Sequence, residues 1–525
     1  MCGFAAAINW PEAAATVGQL IEGLRHRGDV TDPLVQVAPY TVLCTRRLRI
    51  VDSERAIQPQ VSCDDRLIVS FNGQIYNHAI LRDEMIALGV RFQTESDTEV
   101  LVNALSVWGP QALERLSGMY AFVAVDIDSG GFLAARDPFG IKPLYVIQSG
   151  AGFLFCSEMK PLLDTVADGD VMMLPPGYAL TATRCVPFQS AIHQPRGRRY
   201  PSDPATLDAL LSEAVRTHLP PGLPVATLFS GGIDSTLIAH YARKFLPDSP
   251  GYFVGGETAP DYPFAAEYAA QTGYDLRFVE FEPESDAVFA RIRDAVVTSE
   301  SFEPNLIRGA LCSLAAAERM RRDGFRIALC GEGADELFCG YPLLKLPFLD
   351  GNAQGEPIRD ECLGLMHRVS LQRVDRCSMH YQIETRVPFL DPTVAEYALG
   401  LDAAALVRMQ NGIPVGKVAL RDLYDLYPES LPSAIRSRAK VLFDVGSGLK
   451  DTVWKARFND EISDRAFCDG QKEFARFSIQ SKEELYYLRQ LSQVIDVDRV
   501  PHLQDRAWIL SPIDRYAERL KAYAS

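Results

Sequence analysis

Short apolar runs alternate with polar turns through the first third of the chain: TVLC (41–44), LIVSF (67–71), YAFVAVD (120–126), GFLAAR (131–136) and GFLFC (152–156). Asn, Asp and Gly separate the runs, and the period predicts strands of a mostly antiparallel, layered sheet. Helical spacing is read over Ala13 to Leu24, Ala79 to Leu88 and Asp97 to Val107. The rhythm then changes. An apolar strand, Val225 to Phe229, runs into Ser230-Gly231-Gly232 and a helix with Leu237 and Ile238 on its inner side. Further strands are expected at 251–256, 276–282 and 325–330, and helices at Asp208 to Thr217, Ala265 to Gln271 and Leu311 to Met320. Alternating strands and helices predict a parallel sheet with ligands beyond the carboxyl ends of its strands, which puts Ser230, Val254 and Cys330 at one mouth. Between the two patterns HQPRGRRYPSDPA (193–205) is polar and proline-rich and reads as an exposed connector. The expected division is 1–192, a linker at 193–205, and 206–525 with a helical C-terminal part.

Composition changes the picture only by exclusion. A net charge of −15, with the 53 Lys and Arg residues nowhere gathered, argues against a nucleic-acid surface. Eleven cysteines without CxxC pairs suit a reducing compartment. The start, MCGFAAAINWPE, lacks the marks of a signal peptide, and no stretch approaches the ~18 apolar residues of a membrane span. A cytoplasmic protein acting on small molecules is expected, with a homodimer left open.

Three stretches carry candidate chemistry. Cys2, once Met1 is removed, holds a thiol and a free α-amino group on one carbon, so the amine can take the thiol proton; a buried small hydrophobe is the plain alternative. The turn 230–232 can wrap an anion with backbone N–H groups at a helix N-terminus, with Ser230 and Ser235 as hydroxyl donors and Asp234 set to meet a metal riding on that anion. Gly331-Glu332-Gly333-Ala334-Asp335-Glu336 puts three carboxylates within five residues after an apolar strand, a hard-cation pattern suited to Mg²⁺ unless it is merely a solvated acidic turn.

The first 190 or so residues resemble the glutamine amidotransferase domain of the N-terminal-nucleophile hydrolases. The matching pieces are Met1-Cys2-Gly3, Arg47-Leu48-Arg49-Ile50-Val51-Asp52, Asn72-Gly73-Gln74-Ile75-Tyr76-Asn77, Ser96-Asp97 and Arg136-Asp137-Pro138-Phe139-Gly140. The resemblance implies that Cys2 attacks the glutamine amide. Asn72 and the Gly73 N–H would hold the oxyanion, Arg47 would grip the α-carboxylate, and Asp97 the α-amino group, with Gln74 alongside. Gln74 stands where the family has glutamate, and the family's RGPD appears as Arg27-Gly28-Asp29-Val30, so a relative of glutamine as donor stays open.

The second part resembles the asparagine synthetases. Its SGGIDS loop is similar to the SGGxDS loop of ATP pyrophosphatases, an adenine nucleotide α-hydrolase-like α/β fold. GEGADELFCGY (331–341), Glu384-Thr385-Arg386-Val387-Pro388-Phe389-Leu390-Asp391, Lys417 with Leu420-Arg421, Lys440 with Phe443 and Gly446 after Leu431-Pro432, and Ser481-Lys482-Glu483 continue the match. By resemblance, ATP would lie on Leu228, Ser230, Gly231, Gly232, Asp234, Ser235, Val254, Cys330 and Gly331. Mg²⁺ would sit on Asp234 and Asp335, Lys440 would neutralise the α-phosphate, and Glu332 would be base toward ammonia. Arg308, Asn305, Glu332 and Arg386 would meet the acceptor acid. The implied reaction is amidation of a carboxylic acid through an acyl-adenylate, giving AMP and pyrophosphate, with ammonia passed from Cys2 through an internal channel. Aspartate is the default acceptor. Asn305 and Leu306 replace the family's threonine pair, and Cys330 replaces a serine, so another acid stays open. β-Lactam synthetases, which lack the cysteine, and a non-catalytic binding protein are the alternatives.

Overall fold

The computed structural model describes residues 2–50, 55–188, 197 and 199–504. Met1, Val51, Asp52 and residues 193–196 and 198 of the predicted linker lie outside the described residues. The chain divides into two compact units, one of residues 1–194, 378–384 and 492–503, the other of 195–377, 385–491 and 504–525.

The first unit is a layered sandwich. Strand β1 (Cys2–Ile8) lies between β2 (Thr41–Arg47) and a strand at Gly152–Cys156, all antiparallel, in a sheet of seven strands. A second, six-stranded sheet centres on β3 (Leu67–Ile75) and β4 (Gly118–Asp126). Phe4, Ala6, Ile8 and Leu43 from one sheet meet Ile68, Ala121, Val123 and Val125 from the other in a dry interior. The outer face of the second sheet, with Val69, Phe71 and Ile75, is covered by Leu81, Met85 and α1 (Asp97–Trp108). Alternation within β3 thus buries both of its faces, and burial of this many side chains is the main force holding the unit.

The second unit carries the expected parallel sheet, with β5 (Val225–Leu228) in the middle. On one side lie β6 (Gly251–Val254) and β7 (Leu276–Val279), on the other β8 (Ile327–Leu329) and then Glu384–Arg386. The order reverses between β5 and β8, so the crevice for a ligand opens at their carboxyl ends. Strands are shorter than the sequence pattern predicts: β7 stops at Val279. One helix is longer. The span expected at 311–320 is the end of α2 (Pro304–Arg322), whose proline sits at the helix start, where its missing N–H costs nothing.

Candidate functional site

The first centre lies at the start of β1. Antiparallel pairing sets Cys2 directly across from Arg47 on β2. Cys2 N donates to Asn72 Oδ1 at 3.0 Å, while Asn72 Nδ2 is buried with no hydrogen-bond partner. A buried N–H left unpaired is costly, and it marks a donor awaiting an acceptor. Gly73 is dictated by space: a Cβ there would stand 2.1 Å from Met119 O. Ser96 caps α1, accepting from Glu99 N at 3.2 Å, and so places Asp97 in its first turn. Asp97 Oδ2 accepts from Gln74 Nε2 at 3.0 Å and from Ile75 N at 2.9 Å. Cys2, Arg47, Gly73, Gln74 and Asp97 line one small cavity. Burial pushes the Cys2 thiol up, against a partial pull from the nearby N-terminal charge.

Two partners in this centre were given no role by the motifs. Asp32 takes Arg47 on two edges, Oδ2 from Nε at 2.8 Å and Oδ1 from Nη2 at 3.0 Å, and both residues are buried. Arg27, fully buried, donates through Nε to Cys2 O at 3.2 Å and through Nη1 to Glu158 Oε1 at 2.8 Å, bracing the backbone of the thiol residue.

The second centre is the mouth between β5 and β8. Gly231 takes φ +68°, and a Cβ on it would sit 2.6 Å from Ala265 N. The loop is held from within: Ser230 N donates to Ser235 Oγ at 3.1 Å, and Gly232 N to Ser230 Oγ at 3.3 Å. Arg438 clamps it from outside, donating to Gly231 O at 3.0 Å and pairing with Asp261. Asp234 follows in the first turn of α3 (Ile233–Phe245).

A chain of alternating charges crosses this mouth. Lys417 Nζ is 2.5 Å from both Asp234 Oδ2 and Asp335 Oδ1, and Lys440 Nζ is 2.5 Å from Asp335 Oδ2. Burial would raise Asp335, but the two ammonium groups outweigh it and hold the carboxyl down to about 2. Burial raises Asp234. Burial also raises Glu336, to about 8, with the negative charges of Asp335 and Glu332 adding to it. Gly340 is required, since a Cβ there would be 1.8 Å from Asp335 Oδ1. The Mg²⁺ reading fits on one ground: Asp234 Oδ1 is buried without a hydrogen-bond partner, and Mg²⁺ bridging phosphates needs only one or two carboxylates. Among the described residues there is no group of three His, Cys, Asp or Glu to hold an ion alone.

A cavity of about 100 Å³ opens here. Leu228, Ser230, Asp234 and Ser235 wall one side, Cys330, Gly331, Glu332 and Asp335 the other, with Lys440 above. Gly232 lines an adjoining hollow with Lys417 and Lys440. Five expected residues line neither hollow, Gly231 among them. Val254 is buried at the end of β6, and Asn305 is exposed. Arg386 is buried and donates to His218 O at 2.7 Å. Arg308 gives Nε to Glu483 Oε1 at 2.8 Å, Nη2 to the other oxygen of Glu483, and Nη1 to Asp451 Oδ1 at 2.7 Å. That guanidinium is paired with two carboxylates of its own chain. Ser313, Arg373 and Phe443 stand in the cavity wall instead.

Compared with known proteins, residues 1–190 match the glutamine amidotransferase domain, and 206–357 with 361–508 match asparagine synthase. The chain belongs to the asparagine synthase family. That makes it a carbon–nitrogen ligase built with a glutamine amidotransferase domain. It is similar to the probable glutamine-hydrolysing asparagine synthetase of Schizosaccharomyces pombe (strain 972 / ATCC 24843), at 30% identity over 520 residues, 90% of this chain and 89% of that one. It is also similar to the asparagine synthetases of Asparagus officinalis (29%, covering 93% and 84%) and, numbered 2, of Arabidopsis thaliana (28%, covering 93% and 86%). Among the described residues no helix is long and apolar enough to cross a membrane.

Proposed function

We propose that this ligase uses ATP to activate a carboxylic acid as an acyl-adenylate and amidates it with nitrogen from glutamine, releasing AMP and pyrophosphate, with aspartate as the default acceptor. Residues 1–192 would free ammonia and 206–525 would use it, joined by the linker at 193–205, in the cytoplasm. A carboxylate resists ammonia because oxide is a poor leaving group, whereas AMP leaves readily.

At the first centre the Cys2 thiol, deprotonated by the freed α-amine, adds to the glutamine carboxamide carbon. The resulting oxyanion takes its hydrogen bonds from Asn72 Nδ2 and Gly73 N, and ammonia departs as the thioester forms. Asp97 holds the α-ammonium group. At the second centre the loop 230–235 holds the phosphates, and Lys440 and Lys417 balance their charge. Asp234 and Asp335 would hold Mg²⁺, which supplies charge neutralisation on the pyrophosphate. Glu332 receives the proton of the attacking ammonia.

The observation that carries the reading is the unpartnered Nδ2 of Asn72 beside Cys2 in a chain that also keeps the Asp234–Lys417–Asp335–Lys440 array. Its test is pyrophosphate release with aspartate, first with glutamine and then with ammonia. Cys2→Ala should abolish the first and spare the second; full glutamine-driven turnover in that variant would sink the reading. The Asp32 carboxylate on Arg47 favours a second reading of the donor, a glutamine whose α-carboxylate is masked.

A further inference from the structure

The hollow adjoining the second centre holds more positive charge than its ion pairs cancel. It shares Ser230, Asp234 and Lys440 with the cavity, but Lys345 and Arg421 line it where the cavity has Cys330 and Glu332. Lys417 and Lys440 are balanced by Asp234 and Asp335, and Arg438 by Asp261. Two cations remain. Arg421 gives Nε to Gly416 O at 2.9 Å, Nη2 to Arg438 O at 2.8 Å and Nη1 to Arg436 O. Its fork is taken up by main-chain carbonyls, which carry no net charge to cancel its own. Lys345, on α4 (Pro342–Leu349), is half-buried, and among the described residues its ammonium group has neither an ion pair nor a hydrogen bond.

The surroundings fix where that ammonium stands. The Lys345 side chain passes Gly416, where a Cβ would lie 3.3 Å from Lys345 Cε and 1.9 Å from Cys339 O. Burial pulls Lys345 below the ordinary lysine range, and the charges of Arg421 and Lys417 add to the pull against a smaller opposing one from Asp335. Burial likewise lowers Arg421. Like charges drawn together out of water are unfavourable until an anion joins them. A terminal phosphate carries about two negative charges and three acceptor oxygens, which matches the two cations left over. A lysine suits the contact, since its compact ammonium has three donors free to turn.

We infer that Lys345 holds the terminal phosphate of the nucleotide, with Arg421 adding charge from behind. The inference rests on the ATP reading and deepens it. The loop 230–235 with Lys440 faces both spaces, so the phosphates nearer the reacting carbon lie there and the end of the chain enters the hollow. ATP gains at Lys345 a contact that ADP and AMP lack, and inorganic pyrophosphate, seated at the same end, keeps it. Selection for a triphosphate is thereby separated from the residues that meet the acid.

The experiment follows amide formation from aspartate, ammonia and ATP by the full chain, with inorganic pyrophosphate, ADP and AMP as inhibitors. Lys345→Gln should raise the KM for ATP and the inhibition constant for pyrophosphate by about 10- to 100-fold, the worth of one charged hydrogen-bonding contact. The constants for ADP and AMP should stay within a few-fold. Lys345→Arg should restore part of the loss, and Lys345→Met, which keeps the apolar stem, carries the comparison should Lys345→Gln not fold. A thermal melt separates this from a structural role. Without nucleotide the Tm of Lys345→Gln should stay or rise, because a cation leaves a group of like charges, while the stabilisation given by added ATP or pyrophosphate shrinks. An unchanged KM for ATP would overturn the inference, and so would an ADP constant that rises as far as that KM. The melt needs no acid, so the two readings fail separately. A chain that makes no amide from any acid, yet loses its stabilisation by ATP in Lys345→Gln, keeps the phosphate contact and drops the ligase. An unaltered chain that neither ATP nor pyrophosphate stabilises drops the contact.

Discussion

Replacing Asp32 by Asn tests what the buried pair with Arg47 does. The two contacts, at 2.8 and 3.0 Å, join groups that are 4% and 7% exposed, so solvent screens them little. Asparagine keeps one oxygen as acceptor, and Gln58 N, 3.0 Å from Asp32 Oδ2, can keep its partner. What is lost is the charge, worth about 1.5–3 kcal/mol for a hydrogen bond of this kind. The fold should weaken by about that amount, read as a shift in the urea midpoint at constant slope. The same energy becomes available to a substrate carboxylate that no longer competes with Asp32. The KM for glutamine in glutamate release should therefore fall by about 10- to 100-fold. The KM for glutaminamide, which has no α-carboxylate, should stay within a few-fold. A variant with the expected loss of stability but an unchanged or higher glutamine KM would show that Asp32 and the donor do not contend for Arg47.

Other perturbations probe the remaining devices. Asn72→Ala should lower glutamine-driven kcat by about 10²–10³, the cost of losing an oxyanion donor, with ammonia-driven pyrophosphate release unchanged. Lys417→Ala leaves Asp234 and Asp335 facing each other and should destabilise by about 3–5 kcal/mol, as for any broken buried pair. Mg²⁺ should return part of that stability in a thermal melt, and no return would count against metal at these carboxylates. His240, buried with Nε2 unpartnered, is pushed down to about 4, by burial first and the Lys244 charge second. A histidine depressed in the fold contributes stability above the ordinary value near 6.5 that is lost as pH falls toward 4, up to about 3 kcal/mol. Urea midpoints at pH 7.5, 6 and 5 should show that slope, and His240→Leu should flatten it.

Local chemistry was legible before any coordinates. The Ser-Gly-Gly turn announces itself because its cause, a left-handed φ at Gly231, is local. Ion-pair choice was not legible. Arg47 finds Asp32 at a separation of 15, Arg373 finds Glu332 at 41, and Arg308 finds Glu483 at 175. Packing of distant elements decides those partners, and spacing along the chain carries no trace of it.

The alternating carboxylates and ammonium groups at the mouth between β5 and β8 bear on how a polyanion would enter there. Lys417 has already left water, and Lys440 largely so, each compensated by an aspartate. On the proposed reading, an incoming phosphate chain would trade partners with them and would not strip fresh hydration shells from two cations. Much of the desolvation was met when the chain folded, and the shielding that bulk electrolyte gives to surface charges hardly reaches this spot. A grip on nucleotide here would belong to the architecture more than to the medium.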